Sequence, residues 1–229
     1  MHRSGVTIVF VLLMMSIVVA CSFVWSDHYL WVSFVLVLTA LLLFIFRFEK
    51  RKLQARELVL LAVLAAVAAV SRIPFASIPS VQPTSFVIMM SGFVFGAESG
   101  MIIGIVAALA SNMILGQGPW TPWQMMAWGL IGLTAGLWRN HFWLKTKIGK
   151  VLFAFAWGFL FGWIMNAWGV LSFIYVDGQW NFSVIIPYFI GSAFFDLMHA
   201  ISNVLFLLLF GGIWMKILGR FKKKYGLLD

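Results

Sequence analysis

The chain has 229 residues, of which 63% are hydrophobic and 10% charged, with a formal net charge of +9. Soluble domains carry about 25% charged residues, so lipid rather than water must be the solvent over most of the surface. The single cysteine, Cys21, excludes an internal disulfide and a cysteine-based zinc site.

In lipid, every backbone N–H and C=O must find a partner within the protein. The apolar runs are continuous, which excludes the alternation of an outer-membrane barrel. The fold class is therefore an all-α integral membrane protein. A span takes roughly 20 apolar residues, and a shorter one must be flanked or shielded by protein. Eight spans are predicted, over 6–25, 29–46, 53–71, 84–97, 100–115, 122–138, 151–175 and 186–217. The last two are long enough to tilt or project from the bilayer.

In the first span, Cys21 reads as an ordinary buried cysteine. The run Val18-Val19-Ala20-Cys21 also resembles a lipoprotein cleavage site. Spans one and two are rich in Val, Leu and Phe. Later spans carry Gly, Ala, Ser, Asn and Gln, which let helices approach closely and line sites. The predicted organisation is an accessory hairpin over 1–50 and a six-helix core over 51–229.

Fifteen of the 16 Lys and Arg residues fall on one side of this eight-span arrangement, and only Arg72 falls opposite. Such an asymmetry predicts a multi-pass protein with those loops and both termini in the cytoplasm. The basic residues lie in short clusters between apolar runs, so they are topology signals rather than a nucleic-acid surface. Tryptophans near the span ends read mostly as an interfacial belt.

Span three carries two small-residue pairs at four-residue spacing, Ala62 with Ala66 and Ala65 with Ala69. Such a stripe serves either packing within the core or docking of a partner's helix. The following loop, RIPFASIPSVQPTS, holds Pro74, Pro79 and Pro83. Proline removes donors and blocks helix, so the segment is extended and partly rigid. It also brings Gln82 and Thr84. In span five, Gly100, Gly104, Ala108 and Asn112 recur every four residues, a nearly bare face ending in an amide. A buried amide there needs a partner, either a neighbouring helix or a ligand. The next loop, GQGPWTPWQM, sets Gln117, Trp120, Trp123 and Gln124 in a short rigid segment. Large planar side chains with amides suit the wall of a site for a flat, polar-edged molecule, although belt tryptophans would read similarly.

Span seven contributes Asn166. Span eight contributes Asp196, His199 and Asn203, whose spacing puts them on one helix face. An ionisable pair at membrane depth suggests function, and a mutual Asp196–His199 hydrogen bond with a structural role accounts for it equally. No phosphate loop, nucleophile elbow or HExxH motif occurs. No catalytic residue, metal site or cofactor is expected.

The alanine stripe, the proline-bearing loop after it and the run FVFGAESGMIIGIVAALASN, within six core helices, resemble the substrate-binding S component of energy-coupling factor (ECF) transporters. The resemblance covers about 53–220 and is strongest over 81–138. It implies a vitamin or related micronutrient bound near the outer face of a bacterial cytoplasmic membrane, with 72–83 as a lid. It also implies docking through the Ala62/Ala66 face on a T component with two ATPase subunits, and a toppling motion that releases the substrate inside. Matching pocket regions are Gln82 and Thr84; Asn112, Gln117, Trp120, Trp123 and Gln124; and Asn166. Asp196, His199 and Asn203 could form the floor. The GQGPWTPWQM loop looks like those of S components for cobalamin or its precursors. The competing readings are a proton-coupled secondary transporter using Asp196/His199, an intramembrane enzyme, and an assembly subunit without a ligand.

Overall fold

The computed structural model describes residues 34–35, 38–39, 41–42, 54–177 and 182–226, with backbone alone over 172–177. The expected first span with Cys21, and most of the second, lie outside the described residues. From residue 54 onward the described chain is helical: α1 (Ala55–Arg72), a 3-10 turn (Ile73–Phe75), α2 (Pro83–Phe95), α3 (Ala97–Leu115), α4 (Thr121–Trp138), the short α5 (Phe142–Lys145), α6 (Lys147–Asp177) and α7 (Phe182–Tyr225).

Local chemistry sets the boundaries. At the start of α1, the Gln54 N–H donates to the Glu57 carboxylate at 2.8 Å, satisfying one of the helix's orphan donors. Pro83 opens α2, where its missing N–H costs nothing. Gly96 ends α2 at φ 95° and Gly116 ends α3 at φ 111°, a backbone region that glycine enters without strain.

Four described helices are long and apolar enough to cross a membrane: Ala55–Phe75, Ala97–Leu115, Lys147–Leu171 and Phe182–Tyr225. The count of eight spans is therefore not reproduced among the described residues. α2 has only 13 residues, about 20 Å of rise, against roughly 30 Å of hydrocarbon. Every one of its residues is buried, so protein rather than lipid surrounds it. α7, with 44 residues, rises roughly 66 Å and carries Lys222, Lys223 and Lys224 in its last turn.

Small residues set the helix spacing. A β-carbon on Gly100 would lie 2.5 Å from the Gly132 carbonyl, and one on Gly92 would lie 2.5 Å from the same oxygen. The bare face predicted for span five thus becomes the close crossing of α3 on α4, with α2 packed alongside. α6 and α7 pair antiparallel in the same way. Gly158 faces Ala200, Gly162 faces Asp196, and Gly169 faces Tyr188, so the partner numbers fall as the α6 numbers rise. Asn203 closes this series by donating to the Ala154 carbonyl at 3.1 Å.

Candidate ligand-binding site

Two polar systems occupy the end of the bundle where the 73–82 connector and the 116–120 loop lie. The first is a hydrogen-bond network tying α1, α3 and α4. The Arg72 guanidinium donates to Asn112 Oδ1 at 2.6 Å and to Ser111 Oγ at 3.1 Å, and it stacks 5.1 Å from the Trp128 ring centroid. Asn112 Nδ2 donates to Gln124 Oε1 at 2.7 Å and to Thr121 Oγ1 at 3.2 Å. Thr121 in turn donates to Gln117 Oε1 at 3.0 Å, and Gln117 Nε2 donates to the Leu109 carbonyl. The amide of Asn112 is therefore satisfied by neighbouring helices.

The second system surrounds a cavity of about 600 Å³ between α6, α7 and the connector. Its polar wall comprises Ser80, Gln82, Asn166, Ser192, Asp196 and His199. Its apolar wall includes Phe161, Met165, Tyr188 and Phe195. Ser80 holds a left-handed backbone at φ 58°, sparsely populated by non-glycine residues. Such strain gathers at ligand clamps and switch regions.

Each polar side chain of the wall is positioned by a specific contact. The Gln82 backbone N–H donates to Ser202 Oγ at 3.1 Å, fixing the connector on α7. Asn166 Nδ2 donates to Ser192 Oγ at 2.6 Å. The Ser192 hydroxyl lies 3.0 Å from the Phe189 carbonyl and 3.4 Å from Asp196 Oδ2. His199 Nε2 meets Ser85 Oγ at 2.8 Å, and Trp128 Nε1 donates to that same oxygen at 3.0 Å. His199 and Trp128 thus share the one Ser85 hydroxyl inside the bundle. The expected Asp196–His199 hydrogen bond is not the arrangement adopted: Asp196 turns to Ser192, and His199 turns to Ser85.

Of the residues singled out from sequence, Gln82, Asn166, Asp196 and His199 therefore share one cavity. Asn112, Gln117 and Gln124 belong to the neighbouring network. Trp120 contacts Trp168 edge-on, with centroids 5.9 Å apart. Thr84 spends its hydroxyl on the Ala68 carbonyl at 2.9 Å. Trp123 is buried in the core, and Asn203 packs between α6 and α7. In the alanine stripe, Ala65 and Ala69 are buried against the core, whereas Ala62 and Ala66 are exposed.

Sequence reasoning passed over Ser85, Trp128, Ser192 and Gly162. The Gly158-x-x-x-Gly162 spacing in span seven, continued by Asn166, was a signal for the α6 face that meets α7. Ser85 and Trp128 gave no comparable pattern. Among the described residues, no group of three or more His, Cys, Asp or Glu is placed to hold a metal.

These features define a polytopic helical membrane protein with a ligand-sized, polar-walled cavity inside its bundle. The family model described as "ECF transporter, substrate-specific component" matches residues 56–222, and the chain belongs to that family. No curated protein and no solved structure matches it. Membership makes this a substrate-binding transport subunit rather than an ATPase, and associates it with a T component, ATPases and a small-molecule substrate.

Proposed function

We propose that this chain captures a vitamin or related micronutrient in the cavity between α6 and α7, beneath the 73–82 connector, at the outer face of a bacterial cytoplasmic membrane. The observation that carries this reading is that Gln82, Asn166, Asp196 and His199, drawn from three separate elements, line one cavity of about 600 Å³. That volume suits a drug-sized ligand. Aromatic side chains would cover the face of a flat ring, and the polar groups would fix its edge.

The charge distribution supports the orientation. With 15 of the 16 basic residues assigned to one side, the connector and the 116–120 loop lie on the other, outward side. The exposed Ala62 and Ala66 offer a smooth strip for a helix of the T component, whose ATPases drive release inward. Cobalamin or a precursor is the substrate suggested by the Trp- and Gln-bearing loop. The size of the cavity favours a precursor fragment over a complete corrinoid.

Mass spectrometry of small molecules released from the detergent-purified protein, preceded by a UV–visible spectrum, tests the proposal. A stoichiometric vitamin-like compound is expected, and a corrinoid spectrum would settle the substrate. An empty protein that gains no thermal stability from a vitamin panel overturns the capture reading. A second reading, proton-coupled transport, draws on Asp196 and His199 lining the same cavity. Uptake that collapses with a protonophore and needs no ATPase partner would establish it.

A further inference from the structure

We infer that the ligand of this cavity is an N–H donor or a cation, of the class of amino-substituted or positively charged flat heterocycles, and not a carboxylate or phosphate. The inference rests on the capture reading and specifies its chemistry. It follows from which hydrogen-bonding capacity the wall has left over.

The Ser192 hydroxyl fixes how the Asn166 amide is turned. The Ser192 proton has two acceptors at hand, the Phe189 carbonyl and Asp196 Oδ2, so toward Asn166 this oxygen can only accept. Asn166 accordingly turns Nδ2 to Ser192 at 2.6 Å, and Oδ1 remains as the unused end of the amide. Gln82 Oε1 is buried and has no hydrogen-bond partner. The Asp196 carboxylate has only the long 3.4 Å contact to Ser192 among its described hydrogen bonds. Within reach of a ligand, acceptor capacity remains unfilled at Asn166 Oδ1 and at the Asp196 carboxylate.

Charge points the same way. The lining holds one carboxylate and no Lys or Arg. The nearby basic side chain of the bundle's loop end, Arg72, is engaged with Ser111, Asn112 and the Trp128 ring. A carboxylate or phosphate entering here would meet Asp196 with no counter-charge, in a medium where Coulomb forces are weakly screened. A donor or cation would instead satisfy the unfilled acceptors.

The test uses the full chain in detergent, with binding read by calorimetry and by thermal shift. The first probes are benzamidine and benzoate, which share a ring and differ in sign of charge; thiamine and biotin extend the comparison to vitamin size. Benzamidine and thiamine are expected to bind at least tenfold more tightly than benzoate and biotin. Asp196→Asn is expected to weaken the cations tenfold or more, and Gln82→Glu to strengthen them several-fold. Should Asp196→Asn fail to fold, the wild-type charge comparison and Gln82→Glu still decide. Equal or tighter binding of the anions, or cation affinity unchanged by both substitutions, overturns the inference.

Failure of the capture reading has a different signature. Gly191 lines the cavity, and nothing lies within 4 Å of where its β-carbon would be, so Gly191→Trp is a blocking variant that the backbone accommodates. An anionic or neutral compound whose binding Gly191→Trp abolishes leaves capture standing and this inference overturned. Binding of no probe of either charge, with no co-purified compound, removes both.

Discussion

Gly162 on α6 and Asp196 on α7 are in such close contact that a β-carbon on the glycine would overlap the aspartate's carboxylate oxygen. The absence of a side chain at one position thus creates the room for the charged group at the other.

Gly162→Ala is accordingly expected to displace the Asp196 carboxylate and weaken ligand binding tenfold or more. Overpacking of this kind costs about 1–3 kcal/mol. Calorimetric affinity and thermal unfolding, measured together on Gly162→Ala and wild type, separate a lost site from a lost fold. Wild-type affinity in the variant would show that Asp196 takes no part in binding.

Asn112 holds a partly buried cation through a neutral amide, and it links Arg72 to Gln124 and Thr121. Asn112→Leu removes that acceptor and leaves the Arg72 guanidinium short of a partner. A loss of about 1–3 kcal/mol is expected. Adding Arg72→Met should recover much of it, because no charge is then left stranded. A double-mutant cycle on thermal stability measures the coupling; additive effects would argue against the link.

The α3–α4 crossing depends on Gly132 having no side chain. Gly132→Val is expected to lower stability by about 1–3 kcal/mol or more, because the neighbouring backbone at Gly100 must move. Gly212 on α7 has nothing within 4 Å of its would-be β-carbon, so Gly212→Ala should not destabilise and is expected to raise stability by up to about 1 kcal/mol, as for an unhindered mid-helix glycine. Tryptophan fluorescence during heating compares the two, and equal midpoints would refute the packing argument.

The alanine stripe of α1 divides into two faces with different expected phenotypes. Ala62→Trp and Ala66→Trp alter the exposed face. They are expected to preserve ligand affinity and the thermal midpoint while abolishing co-purification with the T component. Ala65→Leu pushes into the buried face and should lower the midpoint instead. Complex formation that survives both tryptophans would move the docking surface elsewhere.

The all-α membrane class and the helical core were legible because apolar runs and the removal of backbone polarity from lipid leave few alternatives. Four-residue spacing likewise exposed the bare face of Gly100, Gly104, Ala108 and Asn112, since helical geometry places such residues in line. Periodicity identifies a face but not what it meets. Only the tertiary structure decided that Asn112 is satisfied by Arg72, Gln124 and Thr121, while Asn166 and Asp196 border a cavity. The same holds for the alanines of α1, where Ala65 and Ala69 turn inward and Ala62 and Ala66 outward. In a soluble helix the hydropathy contrast would have told the two faces apart. In lipid, the core side and the solvent side are both apolar, so burial is set by neighbouring helices distant in sequence and is invisible along the chain.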